Sequence, residues 1–266
     1  MNVLGVDFTS APGARKAITV ARCRLSGARL RLEAIEQLRS FERFEMLLAE
    51  PGPWVGGFDF PFGLPRELVR DLGWPGEWRA LVEFCAAISR PKWRAILERY
   101  RAARPAGRKY AHRLTDIPAG SSSPMKLVNP PVALMFHEGA PRLARAGVHV
   151  PGLAEGDRRR IALEAYPALA ARAIVGRASY KSDARDTPAR RAARRRIVAA
   201  LAFEASARLK RRLVEEASGD ALDALLCALQ AARAWRRRAA NYGLPRRVDP
   251  VEGWIAGAAI APGEPR

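Results

Sequence analysis

Two short apolar runs, each closed by an aspartate, constrain this chain more than any other feature. Val3-Leu4-Gly5-Val6 ends at Asp7, before Phe8-Thr9-Ser10, and Trp54-Val55-Gly56-Gly57-Phe58 ends at Asp59, before Phe60-Pro61. Runs of this kind read as buried strands. A carboxylate at the end of such a strand is placed to hold a metal ion or face a phosphate. In an open α/β sheet ligands bind beyond the carboxyl ends of the parallel strands, so the two aspartates meet there if their strands are neighbours.

Three further acids are candidates for the same place. Arg160-Ile161-Ala162-Leu163-Glu164-Ala165-Tyr166-Pro167 is a third strand-like run with Glu164 near its end. Asp220 and Asp223 open a final amphipathic helix, expected from Asp220 to about Ala239. Its apolar stripe is Leu222, Leu225, Leu226 and Leu229, which defines an inward face. At about 100° per residue Asp223 falls beside Leu226 at the edge of that stripe, and Asp220 falls farther toward solvent. Asp223 is therefore the first candidate and Asp220 the second, with Asp220 also suited to the helix dipole. Converging carboxylates repel, and a divalent cation relieves that repulsion. Mg²⁺ or Mn²⁺ suits such oxygen ligands, and Mg²⁺ keeps waters and substrate phosphate in its shell. Two ions about 4 Å apart can activate a water and stabilise a leaving oxygen.

The remaining chain reads as one α/β unit with a helical insertion. Ala17–Arg24 and Arg29–Leu38 are strand-like and joined at Ser26-Gly27, giving an antiparallel meander with the first strand. Phe41–Ala49 is expected to be helical behind the N-cap Ser40. The stretch from Glu67 to about Arg104 is helical and rich in Trp and Arg. A long loop, Pro105–Pro131, carries His112, Arg113 and Asp116, which could line the cleft. A short helix follows through Arg145. Thr187-Pro188 is an N-cap and N1 pair that opens one long Arg-rich helix to about Glu216. Glu252-Gly253-Trp254-Ile255 is expected to dock on the core. His112, His137 and His149 have no metal-ligand spacing. Cys23, Cys85 and Cys227 are odd in number and in no CxxC pair, which fits reduced thiols in the cytoplasm. No stretch approaches a membrane span, and no export signal is legible at the N-terminus.

Charge points to the partner. Lys plus Arg number 46 against 27 Asp plus Glu, a net +19. An Arg-rich genome would explain Arg over Lys but not this excess over acids, so a polyanion such as DNA or RNA is expected. Lys181, Arg185, Arg190, Arg191, Arg194 and Arg195 are the candidate phosphate track. Their alternative is an ordinary solvated helix face. Trp74, Trp78, Trp93, Tyr100 and Tyr110, interleaved with Arg, serve either base stacking or, more simply, helix packing.

Four segments in order, Gly5-Val6-Asp7-Phe8-Thr9-Ser10, Gly57-Phe58-Asp59-Phe60-Pro61, Glu164-Ala165-Tyr166-Pro167 and Asp220-Ala221-Leu222-Asp223-Ala224, resemble the DUF429 family of predicted nucleases. The resemblance runs from residue 1 to about Trp254. That family is assigned to the ribonuclease H-like superfamily, near the RuvC-type resolvases. It implies a mixed α/β fold with a five-stranded sheet in the order 3-2-1-4-5 and helices on both faces. It also implies that Asp7, Asp59, Glu164 and the Asp220/Asp223 pair form one acidic cluster. Residues 1–258 would then be a single domain with an insertion at about 67–146, and 259–266 a flexible tail.

The leading expectation is a Mg²⁺- or Mn²⁺-dependent nuclease. Asp7 would bridge two metals, Asp59 and Asp223 would each complete a shell, and Glu164 would bind the second metal or position water. RuvC-like relatives often pair to cut two strands, so a homodimer belongs to this expectation. The alternatives are an actin-like phosphotransferase or ATPase, with Asp7–Ser10 as a phosphate loop, and a non-catalytic basic nucleic-acid-binding protein. Singly, each aspartate is also an ordinary turn former or cap.

Overall fold

The computed structural model describes residues 1–260; the part of the expected tail from residue 261 lies outside them. Six strands form one mixed sheet: β1 (Asn2–Asp7), β2 (Ile18–Ser26), β3 (Arg29–Leu38), β4 (Trp54–Asp59), β5 (Val148–His149) and β6 (Asp157–Glu164). Their order is β3-β2-β1-β4-β6-β5. β1, β4, β6 and β5 run parallel, while β2 is antiparallel to both β1 and β3. The expected sheet of five strands is thus corrected to six. The addition is β5, two residues long and too short to show any periodicity.

The two faces of the sheet are read directly from side-chain alternation. Leu4, Val6, Trp54, Phe58 and Ala162 point to one face, where they pack with the insertion. That insertion comprises α2 (Arg66–Asp71), α3 (Trp78–Ala86), α4 (Arg90–Ala103), α5 (Asp116–Ala119) and α6 (Val132–Ala146), with the earlier α1 (Phe41–Ala49) beside it. Trp78 and Trp93 are fully buried there, so these two rings pack helices and are not free to stack on bases.

Val3, Val55, Ile161 and Leu163 point to the other face. There lie α7 (Pro167–Val175), α8 (Pro188–Ala200), α9 (Ala207–Glu215) and α10 (Asp220–Arg236). The helix α10 was expected to be amphipathic, but every side chain from Ala221 to Ala232 is buried. The reason is a glycine seam. Gly5 and Gly57 are register partners on β1 and β4. A Cβ on Gly5 would lie 1.9 Å from the Ala224 carbonyl oxygen, and one on Gly57 would lie 2.3 Å from that of Cys227. Strand glycines that admit another backbone this closely are placed for that approach. Alanines on the facing side (Ala221, Ala224, Ala228) complete the fit. Each leucine that α10 buries adds about 1.5–3 kcal/mol.

The single helix expected from Thr187 to Glu216 is two, α8 and α9, broken at 201–206. Within the break Glu204 exchanges backbone hydrogen bonds with Leu30 and Leu32 of β3, at 2.8 Å each. The break covers an otherwise bare sheet edge, a need no local pattern reveals. At the C-terminal side, the Ala256 N–H donates to the Glu164 carbonyl at 2.8 Å, so the segment 252–256 docks beside the end of β6. Among the described residues no helix is long and apolar enough to cross a membrane.

Candidate functional site

A cleft of about 570 Å³ opens beyond the carboxyl ends of β1, β4 and β6. Asp7 and Asp59 form its floor. They are register partners on neighbouring parallel strands, so both side chains emerge on the α10 face. Asp7 is 8% exposed and Asp59 is half-buried. Among the described residues, neither takes part in a side-chain hydrogen bond or ion pair that fixes its charge. Burial raises the Asp7 carboxyl well above the usual range, and Asp223 and Asp59 add to the effect by repulsion. Burial likewise pushes Asp59 up to about 7, against the pull of Lys181. Raised carboxyls that sit side by side in a cleft mark a candidate functional site.

The other expected acids are in the neighbourhood but carry partners. Asp223 is fully buried; its two oxygens accept from the Tyr180 hydroxyl at 2.6 Å and from the Lys181 ammonium. Asp220 lines the cleft and accepts from Lys16 Nζ at 2.7 Å, so it faces the site and not the solvent as expected. Of the pair, Asp220 is the more accessible acid, and Asp223 is buried beneath the cleft lining.

Glu164 differs for a reason of register. It pairs with Phe58, one residue short of Asp59, and in a strand one residue means the opposite face. Its side chain therefore meets the insertion. Arg113 donates to both its oxygens, at 2.8 and 2.6 Å, and the Phe62 N–H donates at 2.9 Å. Arg113 also reaches Asp116 at 2.9 Å and the Glu252 carbonyl at 3.0 Å. Burial raises the Glu164 carboxyl while Arg113 holds it down. Glu164 thus ties the 105–131 loop and the C-terminal segment to β6 while lining the cleft together with Arg113, and unlike Asp7 and Asp59 it has a cation of its own. Of the loop residues His112, Arg113 and Asp116, only Arg113 lines the cleft; Asp116 is buried behind it, and His112 is exposed and lies beside Arg104 and Arg108.

The basic candidates divide too. Lys181 lines the cleft. Arg185 and Arg195 are exposed, Arg191 pairs with Asp186 and Glu215, and Arg190 donates to the Arg185 carbonyl at 2.5 Å. Arg194 is fully buried, bonded to Asp186 at 2.9 Å, the Tyr180 carbonyl at 2.8 Å and the Val214 carbonyl at 2.6 Å; it is no phosphate contact. Sequence reasoning missed Lys16 and Tyr180, which no spacing marks, and the Gly5/Gly57 seam, whose signal was two glycines inside strong strand patterns.

The donor chemistry of Asp7 and Asp59 fits a hard divalent cation: paired, desolvated carboxylate oxygens with no competing donor. Among the described residues no three His, Cys, Asp or Glu side chains converge as a complete ligand set. Two carboxylates alone would leave most of the shell of a hard cation to water and other oxygens. No curated protein and no solved structure matches the chain. A family match spans residues 5–247, and by it the chain belongs to the family described as "Protein of unknown function (DUF429)".

Proposed function

We propose that this chain is a divalent-cation-dependent hydrolase of phosphodiester bonds in DNA or RNA, built on a ribonuclease H-like sheet. The observation that carries the reading is the Asp7–Asp59 pair: adjacent, desolvated, raised in pKa and without a protein partner, at the strand ends where α/β sheets bind ligands. The antiparallel β1–β2–β3 meander beside parallel β4 supports the fold assignment. The net charge of +19 supports a polyanionic substrate.

Asp7 and Asp59 would hold a Mg²⁺ or Mn²⁺ ion, with Asp220 and Glu164 as further carboxylates on the cleft wall. Such an ion neutralises phosphate charge and acidifies a water. The ammonium groups of Lys16 and Lys181 would steady phosphate oxygens at the cleft, where both residues line the wall. Arg185 and Arg195 would guide the nucleic-acid backbone from outside, a salt-sensitive contribution.

Labelled single strands, duplexes, RNA–DNA hybrids and four-way junctions, incubated with wild-type and Asp7→Asn protein in Mn²⁺ or Mg²⁺, test this reading. Cleavage by the wild type alone, abolished by a chelator, is expected. Salt-sensitive binding by both proteins without cleavage would leave a non-catalytic binding protein, and nucleotide hydrolysis without strand cleavage would leave a phosphotransferase-like enzyme.

A further inference from the structure

Lys181 stands among the acids of the cleft and not at their margin. Its ammonium is paired with Asp223. Lys181 also lines the same cleft as Asp7 and Asp59. The lysine side chain is 44% exposed, so this charge faces the cleft.

The surrounding chain fixes that ammonium. Tyr180, its neighbour, occupies the second oxygen of Asp223 at 2.6 Å. The Tyr180 carbonyl is gripped at 2.8 Å by buried Arg194, which also holds Asp186 farther along the same loop. The Ser182 N–H donates to the Ala217 carbonyl at 3.0 Å. Gly219, with φ +76°, borders the lysine stem; a Cβ there would lie 2.8 Å from that of Lys181. A bare glycine edge therefore lets the lysine pass α10 into the site.

From this arrangement we infer that Lys181 supplies the second positive charge of the centre as a fixed ammonium, so that the site takes one divalent cation and not two. The inference rests on the metal reading above and specifies it. Three ionised aspartates, Asp7, Asp59 and Asp223, are balanced by one divalent ion and one ammonium. A second divalent ion would meet an ammonium already seated on Asp223, and like charges at such distance repel strongly in a desolvated site. Asp223 is then the lysine's anchor and no ligand, and Arg194, Tyr180 and Gly219 are positioning residues that act through it.

The test is a count of bound Mn²⁺ by electron paramagnetic resonance of the free ion, without substrate, on wild-type, Lys181→Met and Lys181→Arg proteins. The wild type is expected to bind one Mn²⁺ per chain, Lys181→Met two, and Lys181→Arg one. Two ions on the wild type would overturn the inference and leave the metal reading intact, and that count stands even if the Met variant does not fold. One ion on a folded Lys181→Met protein would also overturn it. A wild type that binds none would sink the metal reading itself, and this inference with it.

Discussion

The floor and the walls of the cleft are made of the same residue types and solve opposite problems. On the floor, Asp7 and Asp59 are left without a counter-charge of their own. On the walls, Asp220 has Lys16 and Glu164 has Arg113, and just beneath them Asp223 has Lys181. Acids of the second kind hold the molecule together; acids of the first kind cost it stability and, on the function proposed above, leave a place for an external cation. An acidic cluster recognised from sequence is therefore not one object. Which of its members can bind is decided by which of them the protein has already neutralised.

The sharpest way to break this contrast is to strip a wall acid of its partner. Arg113→Met leaves Glu164 and Asp116 buried without their cation and should cost about 3–5 kcal/mol. Urea denaturation will show it; an unchanged midpoint would mean that the pair is not what holds the loop to β6.

A second way is to separate floor from wall. Gly5→Val should displace α10 from β1, because the new Cβ meets backbone and not a flexible side chain. Overpacking of this kind costs about 1–3 kcal/mol, occasionally more. The fall in melting temperature by circular dichroism measures it, and a variant as stable as the wild type would refute the seam.

The third tests the floor by pH. Asp59 titrates at about 7 in the folded chain against about 3.9 when unfolded. The folded state therefore holds the extra proton between these values, and its stability falls as pH rises from about 4 to about 7. Asp59→Asn should melt higher than the wild type at pH 8 in chelator, with the gain fading toward pH 4. A variant that melts lower at pH 8 would show that Asp59 has a stabilising partner after all. Divalent-cation affinity of the wild type should rise over the same interval, since the ion competes with the proton.

The smallest effect compares two neighbouring arginines. Arg195→Ala should leave stability within about 0.5 kcal/mol, as surface changes usually do, and lower the salt dependence of nucleic-acid binding by about one unit of slope. Arg194→Ala should instead lower the melting temperature. Equal effects on both readouts would erase the division between track and anchor.

Much of this was legible in advance. Strong local patterns located β4, α1 and the start of α10 to the residue, and Ser40 and Thr187 cap their helices as their chemistry requires. The break between α8 and α9 was not legible, since its cause is the exposed edge of β3, far away in sequence. Nor was it legible that Asp220 lines the cleft while Asp223 is buried below it. Helical periodicity ranks faces by their residues, but α10 lies in the glycine seam and is buried all round, so its acids are sorted by what meets them. Glu164 shows the same limit: its distance from the strand end is readable, but its offset from Asp59 exists only once β6 is paired with β4.

The sequence by itself determined that strands end in carboxylates, that a helix opens with two more, and that the chain carries a large positive charge. These follow from local pattern and composition, which act over a few residues. Only the tertiary structure decided which acids share a face, which glycines let α10 approach, and which lysine or arginine reaches each carboxylate. Pairing register and charge neutralisation join residues distant in the chain, and no local physical preference encodes them.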